Sequence, residues 1–151
     1  MTYNLYSIGH GNSEIDSFIS NLKKYELQLI VDLRSVPFSK IVPEFNQKDL
    51  VEKLKENNID YLFFGDKLGG RPQNGFSNFV ESPEFKKNIG KLLFLVKNKN
   101  TALMCSEFNH MNCHRKFITD LLRKNGVEVK NIDRNGGMVK EEQFSIKQYQ
   151  R

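Results

Sequence analysis

The stretch SPEFKKNIGKLLFLVKNKNTALMC, residues 82–105, combines the signals of a helix and of a buried strand. Ser82 can cap the helix, Pro83 suits its first position, and apolar side chains then recur at helical spacing: Phe85, Ile89, Leu92, Leu93 and Val96. The run Ala102–Cys105 is apolar without interruption, which is typical of a strand covered on both faces of a parallel sheet. This helix-then-strand unit predicts an α/β fold.

The same two patterns alternate along the rest of the chain. Short apolar runs predict five strands, at Leu5–Ile8, Leu27–Leu33, Tyr61–Phe64, Ala102–Cys105 and Val127–Ile132. Helical patterns separate them, starting at Ser13 as N-cap, after Asn46, at Ser82 and near Phe117, and the last ends at Gly126. The predicted fold is a single three-layer α/β domain with a mostly parallel five-stranded sheet, Rossmann-like or flavodoxin-like. The strand order stays open.

The length and composition fit one domain. The chain has 151 residues, and its 23 basic and 18 acidic side chains give a net charge of +5. Residues 1–133 form the predicted α/β domain, and residues 134–151 form a C-terminal extension of it that is either docked or frayed. No apolar run is long enough to span a membrane, and two cysteines are too few for a secreted disulfide scaffold. We therefore expect a cytoplasmic protein with no membrane partner.

Polar residues gather just after the predicted strand ends. The candidates for catalysis are Asp32, Cys105 and Glu107, and the candidates for ligand binding are His10, Asn12, Arg34, Ser35, Gly69, Gly70, Arg71, Cys113, His114 and Arg115. Parallel strands end at one edge of a sheet, where open α/β proteins bind their ligands. Two long connections, residues 34–45 and 65–81, leave the same edge, and long connections in compact domains are often binding loops. The pattern predicts a site at this edge.

Two segments carry groups suited to an anion. Gly69 and Gly70 predict a tight turn, which beside Arg71 could present amides and a guanidinium to a phosphate. Residues 113–115 open a predicted helix, where backbone amides and the helix dipole favour a bound anion and a cysteine thiolate. Each segment has a structural alternative, an ordinary turn or a buried histidine. The Walker and G-x-G-x-x-G motifs are absent, which disfavours P-loop and dinucleotide-binding proteins.

The second predicted strand ends in Asp32 and Arg34. We expect their side chains to point to opposite faces of the sheet if the strand continues past Asp32. Contact with a ligand is one role for the pair. The alternative is a loop cap for Asp32 and a solvated charge for Arg34.

The cysteines and histidines near the fourth strand allow chemistries that their spacing disfavours. A tyrosine phosphatase loop needs an arginine six residues after the cysteine, and the sixth residue after Cys105 is Met111. Rhodanese chemistry also uses a short cysteine-initiated anion loop and is only weakly supported. Zinc would find four ligands in Cys105, His110, Cys113 and His114, but these lack the paired spacing of recurring zinc sites. We predict no metal and no cofactor.

Several motifs together resemble one family. They are Ser7–Asn12 (SIGHGN), Val31–Pro37 (VDLRSVP), Leu68–Arg71 (LGGR), Leu103–Glu107 (LMCSE) and Cys113–Arg115 (CHR). Each motif is weak alone, but in this order they resemble the bacterial domain of unknown function 488 family from about Tyr3 to Ile132. The resemblance implies an α/β domain with a site built from these motifs, and it implies no reaction.

The leading functional expectation is an enzyme, a transferase or hydrolase, that acts on a phosphate-bearing or otherwise anionic small molecule such as a nucleotide derivative. Arg34, Arg71 and Arg115 would hold the anion, Asp32 or Glu107 would act as general acid or base, and Cys105 would be a nucleophile or a pocket wall. A nucleic-acid-associated module is the alternative, given the basic charge and the stretch Lys116–Lys124. A non-catalytic ligand sensor is a third. The oligomeric state stays open.

Overall fold

Five parallel strands form one sheet in the order β3-β2-β4-β1-β5. The structure is a computed structural model and describes residues 3–38, 42–68, 81–106 and 115–138. The strands are β1 Asn4–Gly9, β2 Leu29–Asp32, β3 Asp60–Phe63, β4 Asn100–Cys105 and β5 Val129–Ile132. Every strand pair is parallel, so the predicted three-layer α/β fold is confirmed. The observed strand order, which the sequence left open, differs from the 2-1-3-4-5 order of flavodoxins.

Helices cover both faces of this sheet. Among the described residues they are α1 Ile15–Lys24, α2 Gln47–Glu56, α3 Gly65–Leu68, α4 Pro83–Val96 and α5 Arg115–Lys124, with a 3₁₀ turn at Pro43–Phe45. The apolar side chains of α1 and α2 pack in one core layer, and those of α4 and α5 pack in another on the opposite face. The four longer helices follow the predicted helical patterns. The short helix α3 and the 3₁₀ turn are additions to the predicted elements.

Four helix-end signals were predicted, at Ser13, Asn46, Ser82 and Gly126, and the structure agrees fully with the last two. The Ser82 hydroxyl accepts a hydrogen bond from the Phe85 amide at 3.1 Å, and Pro83 occupies the first helical position. Gly126 ends α5 with φ +80°, and the Val127 amide donates to the Leu122 carbonyl, as in a Schellman motif. The prediction of Ser13 as N-cap is wrong, because α1 starts one residue later with Glu14 in that position.

The second predicted cap has the right place but lacks the expected bond. Asn46 is the N-cap residue of α2, yet its side chain makes no capping hydrogen bond. Its extended backbone, with ψ 144°, is the conformation that an N-cap residue adopts. Backbone conformation therefore defines this helix start without the side-chain bond that usually accompanies it.

The chain after β5 forms a turn that docks on α1. The Asp133 carboxylate accepts hydrogen bonds from the amides of Asn135 and Gly137, and Gly136 has φ +84°. The hydroxyl of Tyr25 and the ammonium of Lys24 both donate to the Gly136 carbonyl. Residues 135–137 therefore form a turn that contacts the end of α1. The part from residue 139 onward lies outside the described residues.

The connections place a crevice above β2 and β4. From β2 the chain continues to β3 at one end of the sheet, and from β4 it continues to β5 at the other end. Neighbouring strands whose connections leave in opposite directions form the switch point at which open α/β sheets bind ligands. We call this place the β2–β4 crevice. Arg34 follows β2 there, Cys105 ends β4, and His10 follows the adjacent β1.

Candidate functional site

Asp32 and Arg34 form a bidentate ion pair at the end of β2. Arg34 Nε donates to Asp32 Oδ1 at 2.9 Å, and a terminal guanidinium nitrogen donates to Oδ2 at 2.8 Å. The two residues are almost fully buried, and Arg34 is only 5% exposed. The prediction that they point to opposite faces is wrong, because residues two apart in an extended chain share a face. The pair is thus a buried unit with no net charge.

Three further groups complete this unit. The Tyr61 hydroxyl donates to Asp32 Oδ2 at 2.6 Å, and Arg34 donates to the Phe45 carbonyl at 2.8 Å. The same Arg34 nitrogen lies 3.4 Å from His10 Nε2. Burial, together with the hydrogen bond to the Asp32 carboxylate, raises the pKa of the Tyr61 phenol, which therefore stays a donor. We call these five residues the Asp32 network. It ties β1, β2, β3 and the 3₁₀ turn together.

The hydrogen bonds of the Asp32 network occupy the polar atoms of Asp32 and Arg34. Both oxygens of Asp32 already accept hydrogen bonds, from Arg34 and from Tyr61, and the carboxylate is fully buried. The three guanidinium nitrogens of Arg34 bond inside the protein. A saturated ion pair has little capacity left to move a proton or to hold an anion. The geometry therefore favours a positioning role over the predicted general-base and ligand-holding roles.

His10 is a neutral imidazole within the network. Its Nδ1 lies 2.8 Å from the Gly11 carbonyl, which can only accept, so Nδ1 carries the proton and Nε2 faces Arg34 as an acceptor. Its ring stacks on Phe45, with centroids 4.6 Å apart. Burial lowers the pKa of His10 to about 4, and the charges of Arg34 and Arg115 act in the same direction. His10 therefore lies in the field of both arginines.

Arg115 lies on the opposite face of the sheet from the Asp32 network. It is the first residue of α5, is 1% exposed, and donates to the Ser7 hydroxyl on β1 at 2.7 Å. Ser7 pairs in register with Leu103, a member of the α4–α5 core layer, so its side chain faces those helices. The Arg115 guanidinium therefore makes a structural contact with the sheet.

Asn131 is a buried polar residue beside this contact. It lies opposite Ser7 in the register between β1 and β5, and it is 2% exposed. Neither Oδ1 nor Nδ2 of Asn131 makes a hydrogen bond to any residue that the structure describes. Buried amides are normally satisfied, and each unmet group costs about 1–3 kcal/mol. We call Ser7, Arg115 and Asn131 the Arg115 cluster.

Cys105 ends β4 with its side chain on the same face as Arg115. It is 1% exposed and is disulfide-bonded in this structure. A disulfide sulfur has no thiolate to offer, so Cys105 does not act here as the free nucleophile that was one of its two predicted roles. The chain has one other cysteine, Cys113, which lies outside the described residues.

Two of the remaining predicted residues lie in the described part of the chain, and the others lie outside it. Asn12 is exposed and Ser35 is half-buried, and both lie in turns at the carboxyl edge of the sheet. The predicted residues outside the described part of the chain are Gly69, Gly70, Arg71, Glu107, Cys113 and His114, as is His110 of the zinc alternative. The structure thus brings His10, Asp32 and Arg34 into one network and places Cys105 and Arg115 on the other face.

One groove is lined by other residues. It has a volume of about 420 Å³ and opens beside α1 and α2. Its lining consists of Ile15, Pro43, Lys53 and the carboxylates Glu44, Asp49, Glu52 and Glu56. Four carboxylates repel an anion, and no predicted site residue contributes to the lining. Within the described ranges, no group of three or more metal-ligating side chains occurs, and no helix is long and apolar enough to cross a membrane.

Four members of these two groups were missing from the predicted site. Tyr61 and Phe45 reach the Asp32 network from β3 and from the 3₁₀ turn, and Ser7 and Asn131 come from the middle of strands. Ser7 carries a signal that could have identified it, because it is a polar residue inside an apolar run, and a buried polar residue is more informative than an exposed one. Asn131 carries no such signal, since Glu128 and Lys130 in the same run are also polar.

Comparison with known proteins gives one result. The model of the family described as domain of unknown function DUF488 matches residues 14–122. Neither the curated proteins nor the solved structures contain a significant match. The matched residues run from the start of α1 into α5, and they contain Asp32, Arg34, Tyr61 and Arg115. Because the match covers more than half of the chain, this protein belongs to the DUF488 family.

Proposed function

We propose that the carboxyl edge of the sheet binds a phosphate-bearing or otherwise anionic small molecule, such as a nucleotide derivative. The observation that carries the proposal is that Arg115, a buried arginine, begins α5 at this edge, where the Ser7 hydroxyl fixes its guanidinium. The charges of Arg34 and Arg115 both act on His10, which follows β1 at the same edge. An electropositive, partly desolvated edge attracts anions more strongly than an exposed one does.

The two arginines have different parts in this proposal. Arg34 is neutralised by Asp32, so it fixes the backbone after β2 and supports the edge. Arg115 donates to the hydroxyl of Ser7, so this contact fixes the position of the guanidinium. Arg115 also begins α5, where backbone amides and the helix dipole add positive potential. Because Arg115 combines a guanidinium with a helix N-terminus, we expect it to contribute most to anion binding.

Binding is better supported than turnover. The Asp32 carboxylate is saturated by hydrogen bonds and Cys105 is disulfide-bonded, which leaves neither ready for acid–base or nucleophilic work. The third predicted catalytic residue, Glu107, lies outside the described residues. We therefore propose a binding function first. A transferase or hydrolase activity on a nucleotide-like substrate would be a further step.

The test is titration with inorganic phosphate and with AMP by isothermal calorimetry. Arg115→Lys should weaken both interactions about tenfold or more, because lysine loses the fixed fork of guanidinium donors. Lys124→Ala is the matched control, because it removes one positive charge from the other end of α5 and should leave affinity unchanged. Unchanged affinity in Arg115→Lys, or no binding of either probe to the unmodified protein, would refute the proposal.

Two further measurements separate the alternatives. Incubation with AMP followed by mass spectrometry would detect a product if the protein is an enzyme. Oligonucleotide binding that weakens steeply with salt, in the absence of phosphate and AMP binding, would support a nucleic-acid-associated module in place of this proposal.

A further inference from the structure

Among the described residues, Nε of Arg115 and the carboxamide of Asn131 are buried without a hydrogen bond, and the larger deficit is that of Asn131. Both of its polar atoms are buried without a hydrogen-bond partner among the described residues. The neighbouring buried polar side chains are bonded by contrast: Ser7 accepts from Arg115, and Thr119 donates to the Lys116 carbonyl. A buried carboxamide without hydrogen bonds lowers the stability of the fold unless a further group, such as a ligand, supplies the missing partners.

The position of Asn131 connects it to Arg115. Asn131 and Ser7 are register partners on adjacent parallel strands, so their side chains leave the same face of the sheet, about 5 Å apart at the backbone. Ser7 holds the guanidinium of Arg115 at 2.7 Å. The unsatisfied donor and acceptor of Asn131 therefore lie next to a buried cation at the amino end of a ten-residue helix.

We propose that Asn131 is a specificity residue for an oxyanion that carries a hydroxyl beside its charged oxygens, with hydrogen phosphate as the simplest example. This inference rests on the proposed anion-binding function and names the class of anion. The Asn131 amide would donate to a charged oxygen, and its carbonyl would accept from the hydroxyl. Either orientation of the carboxamide presents one donor group and one acceptor, so a hydrogen phosphate could bind in both orientations.

The carbonyl oxygen makes this recognition selective. Sulfate resembles phosphate in size and shape, but it has no hydroxyl at neutral pH, whereas inorganic phosphate retains at least one. A buried acceptor that finds no donor in the ligand stays unsatisfied, which penalises the wrong ligand more than a lost contact would. The Arg115 cluster should therefore bind phosphate more tightly than sulfate, by about tenfold or more.

The experiment compares phosphate and sulfate affinities in three proteins by isothermal calorimetry. In Asn131→Leu the branched side chain is retained and both polar atoms are lost, so phosphate affinity should fall to the level of sulfate. The melting temperature without ligand should hold or rise, because an unsatisfied buried amide has been removed. Asn131→Ala is the second variant if leucine does not fit. Thr101→Val is the control, since it removes a bonded buried hydroxyl at the opposite edge of the sheet and should leave both affinities unchanged.

The outcomes distinguish this inference from the proposed function. If phosphate and sulfate bind the unmodified protein equally, or if Asn131→Leu and Asn131→Ala keep the preference, the assignment of Asn131 is overturned while anion binding stands. A buried water that satisfies the amide would give that second result. If neither anion binds the unmodified protein, the proposed function and this inference both fail.

Discussion

A Cβ atom on Gly65 would overlap the backbone carbonyl of Arg34. Gly65 begins α3 just after β3, and Arg34 follows β2, so the two segments that leave neighbouring strands touch at this point. The Phe64 amide also donates to the Asp32 carbonyl at 2.8 Å, which keeps the segments paired past the ends of the strands. The close approach therefore sets the backbone that carries the Arg34 guanidinium.

Gly65→Ala should destabilise the protein by about 2–4 kcal/mol, because the clash is with backbone and neither segment can move without breaking the pairing. Urea denaturation measures the free energy of unfolding. Gly90→Ala in α4 is the matched control. A Cβ there meets nothing within 4 Å, so it should gain about 0.5–1 kcal/mol from helix propensity. Equal stability of the two variants would show that the close approach is not required.

Asp32→Asn tests the buried ion pair. The substitution removes the counter-charge of Arg34 but leaves the guanidinium buried, which should cost about 3–5 kcal/mol of unfolding free energy. Urea denaturation again gives the measurement. Asp16→Asn is the control, because it breaks an exposed pair with Lys53 at 3.2 Å and should cost less than about 1 kcal/mol. A loss of similar size in both would mean that the Asp32–Arg34 pair behaves as if it were solvated.

His10 should make the protein less stable in mild acid. Its pKa falls from 6.5 in the unfolded chain to about 4 in the folded one. Between these values the unfolded chain binds more protons, so stability is full above about pH 6.5 and declines as the pH falls toward 4. The full effect is about 3 kcal/mol, taken as an upper bound.

The measurement is the melting temperature from pH 8 to pH 4 in the unmodified protein and in His10→Gln. Glutamine offers Arg34 an acceptor without titrating, so the variant should lose less stability across this range. The other two histidines are common to both proteins, and their contribution cancels in the difference. Parallel pH curves would refute the assignment of His10 as a neutral, buried group.

The central strands β2 and β4 were predictable because they are buried on both faces and are therefore mostly apolar. The starts of β2 and β5 were not. Leu27 and Val127 are buried like strand residues, yet both bond back to the preceding helix, Leu27 to the Leu22 carbonyl and Val127 to that of Leu122. Burial alone does not distinguish a residue that closes a helix from one that opens a strand. The predicted runs at Leu27–Leu33 and Val127–Ile132 therefore start too early.

The sequence predicted that polar residues gather at this edge, but it predicted their individual contacts less well. The rule that parallel strands end at one edge correctly brought His10, Asp32 and Arg34 together. Tyr61 joined them only because β3 lies beside β2, and Asn131 neighbours Ser7 only because β5 lies beside β1. Strand order depends on how the helices pack across the sheet. That information is not local in the sequence.

Ser7→Ala tests whether Arg115 depends on the sheet for its position. The hydroxyl accepts from the guanidinium at 2.7 Å, and a hydrogen bond to a charged group contributes about 1.5–3 kcal/mol, so the free energy of unfolding should fall by that amount. Ser17→Ala on the exposed face of α1 is the control, and it should be neutral or slightly stabilising because alanine favours the helix. Urea denaturation compares them. If Ser7→Ala is as stable as the control, other contacts hold Arg115 in place. Ser7 would then not be needed to position the Arg115 guanidinium.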